Sequence, residues 1–346
     1  MKKIEPTDKK ILKKSERVWD SIAKPLKSLG IFEAQISKLA AAQGNVYPKI
    51  SSPRVLVFCA DNGVVEEGVS QSGHEVTTAV AKAISAGESN VNIFAKRAGA
   101  DVECYDVGMI DNIDIPTMKN ANGTANISKG PAMSKEDCVY AIEVGINAVE
   151  KAKSDGVNII AIGEMGIGNT TTSSAIIAAI TGTNPSIITG RGSGLSDAGL
   201  EKKITVIKKS IEINMPKSND GLDVLSKLGG FDIAAMCGVC LGGAAMGIPI
   251  ILDGVISQAA AMCACRIMPA VKDYLIASHV SREAAGKLVL DDLGLKAPIC
   301  ADMALGEGTG AVLLLSLLPS ILDVYSGKHS FDSIGVDQYV PQGGSK

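Results

Sequence analysis

The chain has 346 residues, 46% of them hydrophobic, and a formal net charge of −3. That length and apolar content support a large core in one or two domains. No basic stripe stands out and aromatic residues make up only 3%, which argues against nucleic-acid binding. From the polar N-terminal residues we expect no signal peptide in this segment. The longest apolar region is interrupted by Pro249, Asp253 and Arg266, whereas a membrane span needs about 20 apolar residues. We therefore expect a cytoplasmic protein without a membrane span.

Helices are predicted before any strand. Segments 13–23 and 32–43 carry apolar residues at helical spacing, and we assign residues 1–50 to a peripheral helical part. Residues 54–60 are a short apolar run rich in β-formers, typical of a buried parallel strand. Asp61-Asn-Gly63 ends that strand with a turn, and a single long helix is predicted over 75–98.

The order of strand and helix then repeats. Residues 101–107 and 157–162 predict further strands, separated by a helix that Ser134 opens. This alternation predicts an α/β fold with a parallel sheet. We assign residues 51–300 to this α/β core and residues 301–346 to a loop, a long helix and a tail.

The strand ending near residue 162 is followed by Gly163-Glu-Met-Gly-Ile-Gly-Asn-Thr-Thr-Thr172 and an apolar helix. Glycines and hydroxyl residues at a strand-to-helix turn present backbone N–H groups to an anion, and the helix dipole adds positive potential. The motif is neither a P-loop nor a dinucleotide fingerprint. The alternative is an ordinary capped turn.

A second glycine-rich loop covers residues 187–195 and includes Gly190 and Arg191. Arg191 and Lys203 are placed to neutralise a phosphate. Residues 248–252 predict another buried strand. His279, one of three histidines, follows a later short strand and is expected to be structural or to contact substrate.

Glu307 lies between two glycines in Ala301-Asp-Met-Ala-Leu-Gly-Glu-Gly-Thr-Gly310. Flanking glycines allow close approach of backbone to a ligand. Partial desolvation would raise the pKa of this carboxyl group towards the range of a general base. The alternative is a solvated glutamate at a helix start. The eight cysteines are expected to be thiols, and the pairs at 237/240 and 263/265 to be packing residues rather than zinc ligands.

Six motifs together resemble the nicotinate-nucleotide–dimethylbenzimidazole phosphoribosyltransferase family. They are Ala60-Asp-Asn-Gly-Val-Val-Glu-Glu-Gly-Val69, the turn 163–171, Asp223-Val-Leu-Ser-Lys-Leu-Gly-Gly-Phe-Asp232, Leu252-Asp-Gly254, Ser278-His279 and Leu305-Gly-Glu-Gly-Thr-Gly310. The resemblance covers residues 55 to about 317. It implies a three-layer Rossmann-like sheet with a small helical domain built from the N- and C-terminal segments.

The resemblance also implies an activity and its residues. Phosphoribosyl would pass from nicotinate mononucleotide to an aromatic lower-ligand base, giving an α-ribotide for cobamide synthesis without a metal or cofactor. Glu307 maps to the general base and Glu164 to a site beside the ribose and acceptor. The expected substrate-binding residues are Ser72, Val80, Gly166, Gly168, Asn169, Thr170, Thr171, Gly190, Lys203, Leu305 and Gly306.

The stretch Ser70-Gln-Ser-Gly-His-Glu-Val-Thr-Thr-Ala-Val80 departs from the family pattern. Gly73 stands where proline is common, and Val80 replaces a polar residue. A phenolic acceptor has no second ring nitrogen to hydrogen-bond, so dimethylbenzimidazole and phenol or p-cresol both remain candidate acceptors. Family members dimerise, which implies a homodimer or a heterodimer with a paralogous subunit.

Two other functions stay open on the sequence. One is a non-catalytic partner subunit of a heterodimer, against which the retained Glu307 and Glu164 argue. The other is an unrelated sugar-phosphate enzyme, which would release nicotinate without an aromatic acceptor.

Overall fold

The computed structural model describes residues 3–340. The strands are β1 (Arg54–Ala60), β2 (Asp101–Gly108), β3 (Ile160–Met165), β4 (Ile250–Leu252) and β5 (Leu275–Ala277). The first helices are α1 (Lys9–Ser21), α2 (Ile31–Gln43), α3 (His74–Ala86), α4 (Asn90–Ala98), α5 (Lys135–Ser154), α6 (Asn169–Thr181) and α7 (Pro185–Ile188). The remaining helices are α8 (Asp197–Asn214), α9 (Gly221–Leu228), α10 (Phe231–Met246), α11 (Val255–Ile267), α12 (Gly286–Leu293) and α13 (Thr309–Tyr325).

The five strands form one parallel sheet in the order β2-β1-β3-β4-β5. Strand order reverses between β1 and β3, since β2 lies on one side of β1 and the later strands lie on the other. In open α/β sheets, ligands bind in the crevice beyond the carboxyl ends of the strands at such a reversal. The fold therefore places the ligand crevice beside Asp61, after β1, and Glu164, near the end of β3.

Side chains that alternate along the strands build the core on both faces of the sheet. Leu56, Phe58 and Ile162 face a layer that contains α5, α6, α10 and α11. Val57 and Ala161 face a layer that contains α2, α3, α4 and α13. Both faces are covered by helices, which explains the continuous apolar runs of the strands. These three layers confirm the predicted α/β class.

The prediction of a single long helix over 75–98 is wrong, because two helices, α3 and α4, occupy this segment. Gly87 adopts a left-handed conformation, with φ of +80°, and ends α3. Ser89 then starts α4 through a capping box with Asn92. The physical reason is local, because glycine accepts positive φ without a steric penalty and the serine satisfies N–H groups of the next helix. The break creates a helix N-terminus at Asn90.

The two terminal parts of the chain contact each other. The rings of Trp19 and Tyr325 lie 4.8 Å apart between centroids. The Tyr325 hydroxyl donates to the Ser15 hydroxyl, at 2.8 Å. The first half of α13 also packs on the sheet face formed by β1 and β3. The domain boundaries near residues 50 and 300 stay predictions, and residues 341–346 of the predicted tail lie outside the described residues.

None of the helices within residues 3–340 is both long and apolar enough to cross a lipid bilayer. Seven of the cysteines are buried and free, and Cys300 is exposed. In this part of the chain, no three His, Cys, Asp or Glu side chains are grouped so that they could hold a metal ion. The cysteine pairs of the sequence motifs lie in the apolar helices α10 and α11.

Candidate active site

A cleft of ≈ 270 Å³ opens at the carboxyl ends of β3 and β4. Its walls come from the turn after β3, the glycine-rich loop before α8, the segment after β5, and the loop that precedes α13. Apolar side chains cover much of the surface: Val69, Met165, Ile167, Ile188, Val255, Ile256, Met303 and Leu305. The polar side chains are Ser70, Glu164, Asn169, Thr170, Ser174, Arg191, Ser193, Asp253, Ser257, His279, Ser281, Glu283, Glu307 and Thr309.

The cleft brings together most of the residues singled out in the sequence. Those that line it are Glu164, Gly166, Gly168, Asn169, Thr170, Arg191, His279, Leu305, Gly306 and Glu307. Thr171, Gly190, Lys203, Ser72 and Val80 are not among the lining residues. Val80 packs at the edge of the helix and sheet core instead. The roles of all these residues stay predictions.

Glu307 projects from an unusual backbone segment. Its φ is +61°, and Gly306 and Gly308 on either side have φ of +89° and +92°. A left-handed glutamate is strained, and such strain persists only where neighbouring contacts enforce it. One contact is Gly163, where an added Cβ would lie 2.2 Å from the Glu307 carbonyl oxygen. The loop therefore rests directly on the backbone of β3.

The Glu307 side chain contacts α4, the second of the two helices that replace the single helix predicted over 75–98. Its Oε2 accepts from the Val91 N–H at 3.4 Å, at the N-terminus of α4. The positive potential at a helix N-terminus attracts a carboxylate side chain, so this contact fixes the orientation of Glu307 and suits its predicted role as a general base.

Asp253 fixes the same loop from its other side. Its carboxylate accepts from the backbone N–H groups of Gly308 at 3.1 Å and Gly310 at 2.8 Å. It thereby satisfies N–H groups of the first turn of α13 from a residue distant in sequence. His279 Nδ1 lies 3.9 Å from Asp253 Oδ1. Burial raises the pKa of Asp253, and His279 opposes that rise.

The opposite end of the cleft suits an anion. Asn169 and Thr170 form the first turn of α6 and line the cleft there. Behind Thr170, the fully buried Lys203 donates from Nζ to the Thr170 hydroxyl at 2.8 Å. Burial lowers the pKa of Lys203 to about 8. A helix N-terminus with a buried ammonium group behind it is an arrangement that attracts phosphate.

Two buried carboxyl groups lie between these ends. Burial and the neighbouring Asp232 raise the pKa of Glu164 to about 8. Burial raises the pKa of Asp232 to about 6. The side-chain nitrogen of Asn169 donates to both groups, to Asp232 Oδ2 at 2.9 Å and to Glu164 Oε2.

The sequence reasoning missed the functions of Asp253 and Asp232 in this arrangement. Asp253 follows a predicted strand directly, and polar residues at that position are signals of a ligand crevice. Asp232 ends one of the family motifs and lies in the first turn of a helix, and neither signal indicates a contact with Glu164. Its proximity to Glu164 depends on the packing of α10 against β3, which no local pattern reveals.

Comparison with known proteins places this geometry in a family. A family model described as phosphoribosyltransferase matches residues 4–336. The nicotinate-nucleotide–dimethylbenzimidazole phosphoribosyltransferase of Acetivibrio thermocellus is 44% identical over 330 residues, which are 94% of each chain. The protein of the same name from Clostridium acetobutylicum is 40% identical over 344 residues, covering 99% of this chain and 98% of the relative.

A solved structure shows the same fold. The crystal structure of CobT from Thermus thermophilus superposes with a TM-score of 0.90 at 35% sequence identity. The match covers 95% of this chain and all of the solved chain, 100%. A second crystal structure from that organism, of the dimethylbenzimidazole phosphoribosyltransferase, matches with a TM-score of 0.90 at 34% identity.

Proposed function

The chain belongs to the nicotinate-nucleotide–dimethylbenzimidazole phosphoribosyltransferase family, and from that membership we propose that it moves phosphoribosyl from nicotinate mononucleotide to an aromatic lower-ligand acceptor. As a member it is a pentosyltransferase. The product would be an α-ribotide for cobamide synthesis. One observation supports the proposal: a single cleft is lined both by the N-terminus of α6, with Lys203 behind Thr170, and by Glu307.

The chemistry requires three tasks from the protein. The donor phosphate binds at the start of α6, where Thr170 and Lys203 supply a hydroxyl and a positive charge. The bond between the ribose anomeric carbon and the cationic ring nitrogen then breaks, and nicotinate leaves with the electron pair. The acceptor nitrogen or oxygen forms the new bond from the opposite face, which inverts β to α. Glu307 takes the proton that the acceptor loses, from the second ring nitrogen of dimethylbenzimidazole or from the hydroxyl group of a phenol.

The apolar wall of the cleft fits an aromatic acceptor. Val69, Val255, Ile256 and Leu305 contribute side chains that can contact a flat ring. Neither this wall nor the stretch from Ser70 to Val80 requires the acceptor ring to carry a second nitrogen. Dimethylbenzimidazole and phenol or p-cresol therefore both remain within the proposal. A retained base, Glu307, in a complete cleft favours catalysis over a role as a non-catalytic partner subunit.

Dimerisation is part of the proposal. The helices α4 and α13 pack against each other and expose Ile93 and Leu317, which are 64% and 40% accessible. Exposed apolar side chains on adjacent helices suit a contact with another subunit. Light scattering on the purified protein would distinguish a homodimer from a monomer that awaits a paralogous subunit.

The test is an assay of the purified chain with nicotinate mononucleotide and a panel of acceptors. The panel contains dimethylbenzimidazole, phenol, p-cresol and a sample without acceptor, and mass spectrometry identifies the ribotide. We expect nicotinate release only with an acceptor, in equal amount to the ribotide. Release without an acceptor would instead indicate a hydrolase. Turnover that begins only after addition of a paralogous subunit would indicate a dependent partner.

A further inference from the structure

Glu164 and Asp232 form a pair of carboxyl groups with a single bridge between them. Both are buried, and Asp232 is 0% exposed. The two hydrogens of the Asn169 side-chain nitrogen serve one carboxyl group each. The Asp232 carboxyl group also lies against the backbone of the turn after β3, since an added Cβ at Gly166 would lie 2.7 Å from Asp232 Oδ2.

The surroundings of this pair are acidic. Asp253 and Glu307 face Glu164, and Asp61 faces Asp232. Within residues 3–340, neither member of the pair forms a salt bridge. The groups that could carry positive charge lie beside neighbours of the pair and not beside the pair itself. His279 lies beside Asp253, and His74 lies beside Asp61. Two adjacent buried carboxyl groups without a cation do not both ionise, so the pair retains one proton.

The helix geometry indicates which member holds that proton. Asp232 lies in the first turn of α10, a 16-residue helix whose N-terminal potential stabilises an anion. Glu164 lies near the end of β3, and Asn169 is its only hydrogen-bond donor among the described side chains and backbone groups. The higher pKa of Glu164, about 8, agrees with this assignment.

We propose that Asp232 is a positioning residue whose negative charge, held beside Glu164 by the Asn169 bridge, keeps Glu164 in its neutral form, so that Glu164 offers an O–H donor to the cleft. This inference rests on the proposed phosphoribosyl transfer. In that reaction, neutral Glu164 donates to a hydroxyl oxygen of the bound ribose and keeps its proton throughout. Glu307 is then the ionised group that receives the proton of the acceptor.

Infrared spectroscopy of the ligand-free full chain tests where the proton lies. A protonated carboxyl group has a carbonyl band that disappears on ionisation, and the difference spectrum against Glu164→Gln isolates the band of Glu164. We expect this band at neutral pH, with a titration midpoint near the Glu164 pKa of about 8. A Glu164 band that is absent at pH 7 would overturn the proposal.

Two variants should move this midpoint in opposite directions. Asp232→Asn removes the negative charge beside Glu164, so the midpoint falls by about one pH unit or more, as expected for a neighbouring carboxylate. Asn169→Ala removes the hydrogen-bond donor that stabilises the ionised form of Glu164, so the Glu164 midpoint rises. Asp101→Asn, exposed at the far edge of the sheet, is the control and should leave the midpoint unchanged.

These measurements separate the inference from the proposed function. If Asp232→Asn does not fold, the Glu164 band of the unsubstituted chain at pH 7 still decides whether Glu164 is neutral, and its absence refutes the proposal. An unmoved midpoint in folded Asp232→Asn would mean a structural role only and would refute the positioning role. The infrared result does not depend on turnover, so a chain that shows both shifts but transfers no phosphoribosyl would disprove the function and not the proton assignment. In an active enzyme, the alkaline limb of kcat/KM should shift in the same direction as the band.

Discussion

Replacing Lys203 with methionine should stabilise the ligand-free protein and weaken binding of the donor. The lysine is fully buried, and Thr170 accepts its hydrogen bond at 2.8 Å. Burial lowers its pKa from 10.5 to about 8, a difference of roughly 2.5. At about 1.4 kcal/mol per pH unit, the charged lysine costs the folded state about 3 kcal/mol below pH 8. Loss of the Thr170 hydrogen bond removes about 1 kcal/mol, which leaves a net stabilisation of about 2 kcal/mol.

The direction of the Lys203 pKa shift determines how the stability of the protein changes with pH. The folded pKa of Lys203 lies below its unfolded value, so between about pH 8 and 10.5 the unfolded chain binds more protons than the folded chain. The contribution of Lys203 to the free energy of unfolding therefore rises with pH across this window. In Lys203→Met that rise should be absent. Urea denaturation of both proteins at pH 7 and pH 10 measures the difference.

Donor binding should change in the opposite direction. The Lys203 charge acts on the donor phosphate from behind Thr170, and such an interaction is worth about 1.5–3 kcal/mol at an effective dielectric constant of about 20. The dissociation constant for nicotinate mononucleotide should therefore rise about 10- to 100-fold in Lys203→Met. Lys202→Met, in the same helix but exposed, is the matched control and should change neither quantity much. An unchanged donor affinity in Lys203→Met would remove Lys203 from the phosphate site. A lower stability at both pH values would refute the reasoning on burial.

Two further substitutions test the Glu307 loop. Glu307→Gln should lower kcat by about 10²-fold while donor affinity stays nearly unchanged, because only proton removal is lost, and an unaltered kcat would exclude this residue as the base. Gly163→Ala places a Cβ 2.2 Å from the Glu307 carbonyl oxygen, so the loop must move and kcat should fall by about 10-fold or more. Gly130→Ala, where nothing lies within 4 Å of the added Cβ, should keep its kcat, and equal losses in both alanine variants would argue against the loop contact.

Local patterns were sufficient for much of the fold. The apolar runs at β1 and β3 and the alternation of strand and helix predicted a parallel sheet, because burial on both faces leaves a continuous hydrophobic signal. The same reasoning failed between residues 75 and 98. Helical periodicity continues across that segment, whereas Gly87 and Ser89 end one helix and start another. The break matters for function, since it places the Val91 N–H against Glu307.

The sequence by itself determined the turn after β3 and the glycine-flanked Glu307, because glycines and a carboxylate adjacent in the chain are a local signal. Only the tertiary structure decided which distant groups surround them. Asp253 reaches the Glu307 loop across 55 positions of the chain, and Asp232 meets Asn169 across 63. The protonation of Glu164 depends on this second contact. Burial and neighbouring charge set a carboxyl pKa, and both arise when the carboxyl ends of the strands converge in the folded sheet.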